Sequence, residues 1–316
     1  MTWLLVADAG GHLALLSWLA PLFRGDQRTW VTTDRPDARA RLAGEAVVYG
    51  SAPTTRSVRA WMGNQRRAHH LLRHVRPDVV LTTGAALAVP FVMAARRAGV
   101  PSVFLEVVDR VDRPSLSGRL VQPFATAMAV QLPRQQALYP GSVMVGEVVP
   151  PSSGPQPEHE EDSVYVSVGT HAAPMDRLVA LAETLAARGH LVRLQHGASR
   201  PGFGCDNHAF VSPEQHRRWV GGSRWVVLHG GSSSLAEARA LGRRPLVVPR
   251  DPAYGEHVDD HQLRYARHHG LAVSPDHILR TVADGAVVAS LPRPDRREAL
   301  DRLRQLVQAV SSSAAT

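Results

Sequence analysis

An α/β protein built from two doubly wound domains is the fold that this chain predicts, on three observations. Short buried-strand runs alternate with helical stretches along most of the sequence, the signature of βαβ units and parallel sheets. The length of 316 residues is about twice that of a usual domain. The alternation halts once, at Val149–Asp162, where "VPPSSGPQPEHEED" has the Pro-, Ser- and acid-rich composition of a linker. The expected division is therefore a domain over 1–148, a linker over 149–162 and a second domain over 163–316.

The elements follow in order. "TWLLVAD" (Thr2–Asp8) reads as a buried strand, followed by two glycines and an apolar-rich helix from His12. "AVVYG", "DVVLTTG" and "VPSVFLE" are further strands, separated by helical stretches at Val58–Val75 and Ala85–Ala98. After the linker, "SVYVSVGT" runs into a glycine turn and a helix over Met175–Arg188. "HLVRLQHG", "RWVVLHGG" and "RPLVVP" continue the strands, with helices expected at Ser234–Leu241 and His257–His269. A last amphipathic helix, Arg293–Val310, is able to pack back on the N-terminal domain. Two such domains would face each other across a cleft.

Composition narrows the function classes. An apolar content of 44% supports real cores and argues against disorder. The net charge is +8, carried wholly by arginine with no lysine, a compositional bias more than a functional signal. The charge still favours an anionic partner such as a nucleotide, a pyrophosphate lipid or an acidic membrane face. Cys205 is the single cysteine, which excludes a disulfide framework and a thiolate metal cluster. The start "MTWLLVADAGG" lacks the basic region and long apolar run of a signal peptide. No stretch approaches the roughly 18 apolar residues of a membrane span. A cytoplasmic protein is expected, with peripheral contact at the inner face of the plasma membrane open to it.

Ligands in doubly wound sheets bind beyond the carboxyl ends of strands. Three glycine-bearing loops stand there: Gly10–Gly11–His12, Val168–Gly169–Thr170–His171 and His229–Gly230–Gly231. In the third, helix-terminal N–H groups and the hydroxyls of Ser232, Ser233 and Ser234 make an anion site, which glycine lets a ligand approach closely. Glu237, one turn inside that helix, is placed to accept hydrogen bonds from ribose hydroxyls. A nucleotide diphosphate fits this arrangement, although a Gly-Gly-Ser turn can also be a simple capped strand-to-helix corner. His196–Gly197, at another strand end, is counted with the same site. "ADAGGHLALL" lacks the third spaced glycine of a dinucleotide fingerprint, so nicotinamide is disfavoured.

"PAYGEHVDDHQ" (Pro252–Gln262) gathers two histidines and three acids without a recognisable ligand spacing, so no metal is expected. Asp260, His261 and Gln262 read more naturally as partners of sugar hydroxyls. The basic stretch Arg56–Arg76 sets arginines beside Trp61 and Met62; it is either a solvated helix face or a surface for anionic headgroups. No compact recognition motif accompanies the charge, which disfavours nucleic acid.

These motifs carry a resemblance. "VSVGTHAAPMDRLV", "HGGSSSLAEARALGRRPLVVPR" and "GEHVDDHQ" closely resemble the catalytic subunit of the eukaryotic dolichol-linked chitobiose N-acetylglucosamine transferase. "DAGGHLALL", "TTGAALAVP", "VFLEVVDRVDRPSLSGRL" and "AVQLPRQQALYP" resemble its membrane-recruiting partner. Together they look like a single-chain fusion with the GT-B fold, related to the peptidoglycan lipid-intermediate N-acetylglucosamine transferases. The resemblance implies transfer from a UDP-sugar with inversion and without metal or other cofactor. By motif, Gly231 and Ser232–Ser234 would hold the diphosphate, Glu237 the ribose, and Phe210–Val211 the uracil edge through backbone groups. His261 and Gln262 would read the sugar, and His12 would be the base, with Glu106 and Asp109 as alternatives across the cleft. Two departures stand out. Ser233 replaces a glycine of the family's phosphate loop, and the recruiting subunit's leading membrane helix has no counterpart in this sequence.

The expected function is thus inverting transfer of a sugar, foremost N-acetylglucosamine, from UDP to a hydroxyl acceptor, either polyprenyl-linked or a soluble natural product. A diphosphate leaving group needs charge stabilisation, and a hydroxyl nucleophile needs a base of the histidine kind. Two rivals share the scaffold: a UDP-sugar 2-epimerase, which needs no acceptor, and a non-catalytic nucleotide-sugar-binding subunit.

Overall fold

The computed structural model of the chain describes residues 1–54, 57–151 and 160–313. Most of the expected linker (152–159) and Arg56, at the head of the basic stretch, lie outside the described residues. The chain divides into two compact units, Met1–Val148 with Asp295–Thr316, and Val149–Pro294.

The first unit is a seven-stranded parallel sheet with helices between the strands. Its strands are β1 (Thr2–Ala7), β2 (Gln27–Thr33), β3 (Val47–Gly50), β4 (Val79–Gly84), β5 (Ser102–Leu105), β6 (Ala127–Val130) and β7 (Val143–Met144). They lie in the order β3-β2-β1-β4-β5-β6-β7. The chain winds outward from β1 in one direction, then crosses back to β4 and winds in the other. The central strands are buried on both faces, as their unbroken "WLLVA" and "VVLTTG" runs require. Between them run α1 (Gly11–Trp18), α2 (Pro36–Arg41), α3 (Val58–Val75), α4 (Ala88–Ala98), α5 (Leu116–Val121) and α6 (Pro133–Leu138). α3 starts on the Ser57 hydroxyl, which accepts from the Ala60 amide at 3.2 Å, and ends at left-handed Arg76. Leu71, Leu72, Phe91 and Ala95 of α3 and α4 pack on Leu4, Val6, Val31 and Val80 to form one face of the core.

The second unit repeats the plan with five parallel strands, β8 (Glu160–Ser167), β9 (Leu191–Gln195), β10 (Asp206–His208), β11 (Ser223–Leu228) and β12 (Leu246–Val247). Their order is β10-β9-β8-β11-β12. The helices are α7 (Asp176–Ala187), α8 (Pro213–Gly222), α9 (Ser232–Ala240), α10 (His261–His268) and α11 (Pro275–Ala283). Leu178, Val179, Ala182 and Leu185, one stripe of α7, close over Val164, Val166, Val192 and Leu194.

The last helix, α12 (Arg296–Ser313), is part of the first unit. It buries Ala299, Leu300, Leu303 and Val307 as one helical stripe. Gly146, at φ 97°, lies against Ala299 of this helix. Arg296 anchors its start by donating to the Trp18 carbonyl at 2.8 Å.

Four helix starts differ from the sequence expectation by two residues or more; those expected from Ala85 and Arg293 begin at Ala88 and Arg296. The helix expected from His257 begins at His261, because Asp259 and Asp260 favour the cap over the helix interior. The helix expected from Ser234 begins at Ser232, with Gly231 as its N-cap.

Candidate functional site

Each sheet reverses direction next to its first strand, and ligands bind at such switch points. In the second unit the switch lies between β8 and β11, and the loops leaving those two strands are Val168–Ala173 and His229–Gly231. Gly230 adopts φ 87°, and a Cβ there would stand 3.2 Å from Pro249, so only glycine fits. Side chains on Gly169 or Gly231 would both strike the His229 ring, which fills the space between the two loops. His229 is buried, with Nδ1 donating to the Ser167 carbonyl at 3.2 Å. Burial, aided by the nearby Arg250 charge, depresses its pKa to about 3, so the ring is neutral.

The start of α9 has no side-chain cap. Among the described residues, nothing accepts from the amides of Ser232, Ser233 and Ser234, and their hydroxyls make no hydrogen bond. Three amides and three hydroxyls at a positive helix end have the chemistry that suits an anion. Glu237 lies farther along the helix, buried, with its carboxylate 3.7 Å from Arg217 Nε.

The remaining expected donor-site residues surround this loop in different ways. Phe210 and Val211 precede α8, and among the described residues no hydrogen bond engages their backbone groups. Gly197 instead buttresses the neighbouring loop, since a Cβ on it would lie 2.6 Å from the Gly169 carbonyl oxygen. His196 is committed locally, its amide to His208 at 2.9 Å and its Nδ1 to the Ser199 carbonyl at 2.8 Å. Asp260 pairs with Arg264 at 3.1 Å. His261 and Gln262 open α10 and are buried, and the Gln262 Oε1 has no hydrogen-bond partner among the described residues. A buried, unpartnered amide oxygen is costly unless a ligand donor meets it.

Sequence reasoning missed the cation beneath these loops. Arg250 is fully buried and donates to the carbonyls of Val168 (2.8 Å), Ala173 (2.8 Å) and Glu256 (2.9 Å). Glu256 in turn takes Arg177 in a bidentate pair at 2.7 and 2.8 Å. Two guanidinium groups against one carboxylate leave net positive charge behind both glycine loops. Desolvation lowers the Arg250 pKa to about 10, which still leaves it charged at neutral pH. Its only sequence signal was an arginine closing a buried strand.

In the first unit the switch lies between β1 and β4. Gly10 takes φ 88° and ψ −138°, and α1 follows from Gly11 without a side-chain cap. His12, in its first turn, is half-buried, with Nδ1 against the Thr83 carbonyl at 2.6 Å. That bond holds the proton on Nδ1 and leaves the Nε2 lone pair as the basic site. Gly84, at φ 98°, makes room for the ring; a Cβ there would lie 3.2 Å from it. Asp8, at the end of β1, was not singled out from sequence. Burial pushes its carboxyl above the usual range, opposed by a 2.8 Å hydrogen bond from Thr54 and by the nearness of the His12 ring.

The two alternative bases are both buried. Glu106 is fully buried, accepting from the Val107 amide (2.9 Å), the Ser115 hydroxyl (2.8 Å) and the Tyr139 hydroxyl. These bonds tie Glu106, just past the end of β5, to the residues ahead of and after α5. Asp109 is also buried, 3.9 Å from Arg110. A hollow of about 670 Å³ edged by Arg73, Arg76 and Arg97 lies at the other end of this sheet, where the strands begin.

No family model matches the chain. It is 28% identical over 302 residues to the UDP-N-acetylglucosamine–N-acetylmuramyl-(pentapeptide) pyrophosphoryl-undecaprenol N-acetylglucosamine transferase of Rhodospirillum rubrum, covering 84% of this chain and 75% of that one. It is 32% identical over 85 residues to the UDP-N-acetylglucosamine transferase subunit ALG14 of Mus musculus, covering 25% of this chain and 39% of the subunit. Acinetobacter baumannii MurG superposes with TM-score 0.61 at 15% identity over 99% of both chains. The UDP-GlcNAc 2-epimerase of Methanocaldococcus jannaschii superposes with TM-score 0.66 at 10% identity, over 98% of this chain and 100% of that one. The fold is GT-B.

Proposed function

We propose that this chain, a UDP-sugar-dependent glycosyltransferase related to the pyrophosphoryl-undecaprenol N-acetylglucosamine transferases, moves N-acetylglucosamine with inversion to a hydroxyl of a polyprenyl-diphosphate-linked acceptor. The observation that carries this reading is the uncapped start of α9, whose amides and hydroxyls await an anion. The leaving UDP gains charge at its diphosphate as the sugar–oxygen bond breaks. Ser232–Ser234 and the helix end, backed by Arg250, stabilise that charge without a metal or other cofactor. Glu237 receives the ribose hydroxyls, the Phe210–Val211 backbone pairs with uracil, and His261 with Gln262 reads the sugar.

In the first unit, the His12 Nε2 takes the proton of the acceptor hydroxyl as its oxygen attacks the anomeric carbon from the face opposite UDP. The α3 surface supports work at the inner face of an anionic membrane: Val58, Trp61 and Met62 are exposed beside Arg59.

The test is incubation of the purified chain with UDP-N-acetylglucosamine and either a polyprenyl-diphosphate-linked sugar or soluble hydroxyl acceptors. A β-linked product on the lipid-linked acceptor is expected. Transfer only to soluble acceptors would move the substrate class to natural products. A 2-epimer formed from donor alone would replace transfer with isomerisation.

A further inference from the structure

The turn between Glu256 and α10 brings three metal-ligating side chains to one point. His257, Asp259 and His261 each offer a ligand atom, and these lie within 4.8 Å of one another. His257 Nδ1 stands 3.4 Å from Asp259 Oδ1, and His261 Nδ1 is in direct contact with that same oxygen. Backbone groups of the turn join in, the Asp259 amide donating to His257 Nδ1 and the His261 amide to Asp259 Oδ1, each at 3.4 Å. The three ligand atoms stand close enough for one divalent ion to take all of them, displacing any proton on the imidazole nitrogens to solvent.

The cluster is braced from outside its own turn. His171, on the loop after β8, lies against the His257 ring with centroids 4.7 Å apart and planes at 30°. Its Nδ1 accepts from the Ala173 amide at 3.1 Å, so it supports the ligand ring without being a ligand itself. His257 and His261 are mostly enclosed, at 10% side-chain exposure each, while Asp259 at 38% keeps the point open to solvent. Two imidazoles and one carboxylate select zinc-like borderline cations over magnesium or calcium, which prefer oxygen ligands.

We propose that His257, Asp259 and His261 form a binding site for a zinc-class transition cation, which blocks the donor sugar when occupied. The blocking role rests on the proposed function, because His261 is one of the groups assigned to the sugar. Zinc fixed on His261 withdraws that side chain from the sugar hydroxyls and sets a charge beside Gln262. The diphosphate loop at Gly230–Ser234 is not part of the cluster, so UDP itself should be unaffected.

Chelator-treated protein is titrated with zinc chloride by calorimetry, with no nucleotide present. One saturable site per chain is expected, weakened at least tenfold in both His257→Ala and Asp259→Asn. The His74→Ala variant controls for the stacked His70–His74 pair on α3 and should bind zinc as the wild type does. Absence of saturable binding, or equal affinity in all the variants, overturns the site. UDP-N-acetylglucosamine and UDP are then titrated with and without zinc. Zinc should weaken the sugar nucleotide at least fivefold and leave UDP unchanged; equal effects on both would overturn the blocking role. Failure of UDP to bind in any condition would count against the proposed function and leave the zinc titration standing.

Discussion

Each unit places a histidine beside its switch point, one after the first strand and the other after the fourth, and the two environments are opposite. In each, the order of strands winds out from the first strand, crosses back to the fourth and leaves a switch point between them. His12 follows a glycine pair after β1 and His229 precedes one after β11; each sets Nδ1 on the carbonyl of the strand across the switch point. His12 stays half-open beside an uncapped helix, with Nε2 available. His229 is sealed between Gly169 and Gly231 and held neutral. The same anchoring bond thus holds the proposed base in one unit and a spacer in the other. Access to the second nitrogen decides which.

The comparison breaks most sharply at His12. Loss of a general base typically costs 10²–10⁴-fold, so His12→Ala should lower turnover by about that factor. UDP affinity, read by calorimetry on the same variant, should barely move. Near-normal turnover would make His12 a second spacer, and Asp8 the next group to test. A parallel loss of UDP binding would mean that His12 touches the diphosphate.

His229 should show itself in stability, not in turnover. Its folded pKa of about 3 lies below the ordinary 6.5, so the unfolded chain binds more protons between those values. The stabilising effect of keeping it neutral is whole above pH 6.5 and is lost as pH falls toward 3. At about 1.4 kcal/mol per unit, the drop from pH 7 to 4.5 is on the order of 2–3 kcal/mol. Urea midpoints at the two pH values measure it. Burial also lowers the His269 pKa to about 4, so that residue contributes a similar drop over the same range, and His229→Gln, less stable at pH 7, should lose roughly half of the combined slope. An unchanged slope would mean that His229 is not the buried neutral group.

Much of this contrast was legible in the sequence, and the part that was not has a physical reason. Glycine pairs at strand ends announce themselves because nothing else tolerates φ near 87° or 88° there. The buried central strands β1, β4, β8 and β11 were readable as continuous apolar runs. β2, opening "QRT", and the two-residue β7 were not, since edge position and polar starts erase the pattern. Arg250 was invisible because periodicity cannot tell a buried arginine from a surface one; its partners are carbonyls from loops 77 and 82 residues away. The partners of Glu106 were invisible for the same reason: an acid at a strand end reads alike whether or not Ser115 and Tyr139 close on it.

Glu237 sharpens the donor side. Its carboxylate is buried near Arg217, so removing it deletes a charged hydrogen-bond acceptor in a place water does not reach easily. Hydrogen bonds to charged groups contribute about 1.5–3 kcal/mol. Glu237→Ala should therefore weaken UDP roughly tenfold or more and leave uracil binding little changed. If UDP and uracil affinities fall together, the damage lies in the fold of α8 and α9, not in the ribose contact.

The smallest effect expected is none at all, and it concerns magnesium. A diphosphate bound by a bridging cation needs hard oxygen ligands near the phosphate loop. The loop at Gly230–Ser234 offers amides and hydroxyls, all donors toward an anion, and the acid nearest along α9, Glu237, is buried beside Arg217. Behind the loop, Arg250 and Arg177 against Glu256 already supply net positive charge. A magnesium ion brought into that setting adds charge where the protein has supplied its own, and it must shed water to do so. UDP affinity in excess EDTA and in millimolar magnesium should therefore agree within about twofold, a difference under roughly 0.5 kcal/mol. A tenfold loss under chelation would show that the helix end and Arg250 do not suffice. The first unit would then be unchanged in its chemistry, while the phosphate loop of the second would need a cation to hold its ligand.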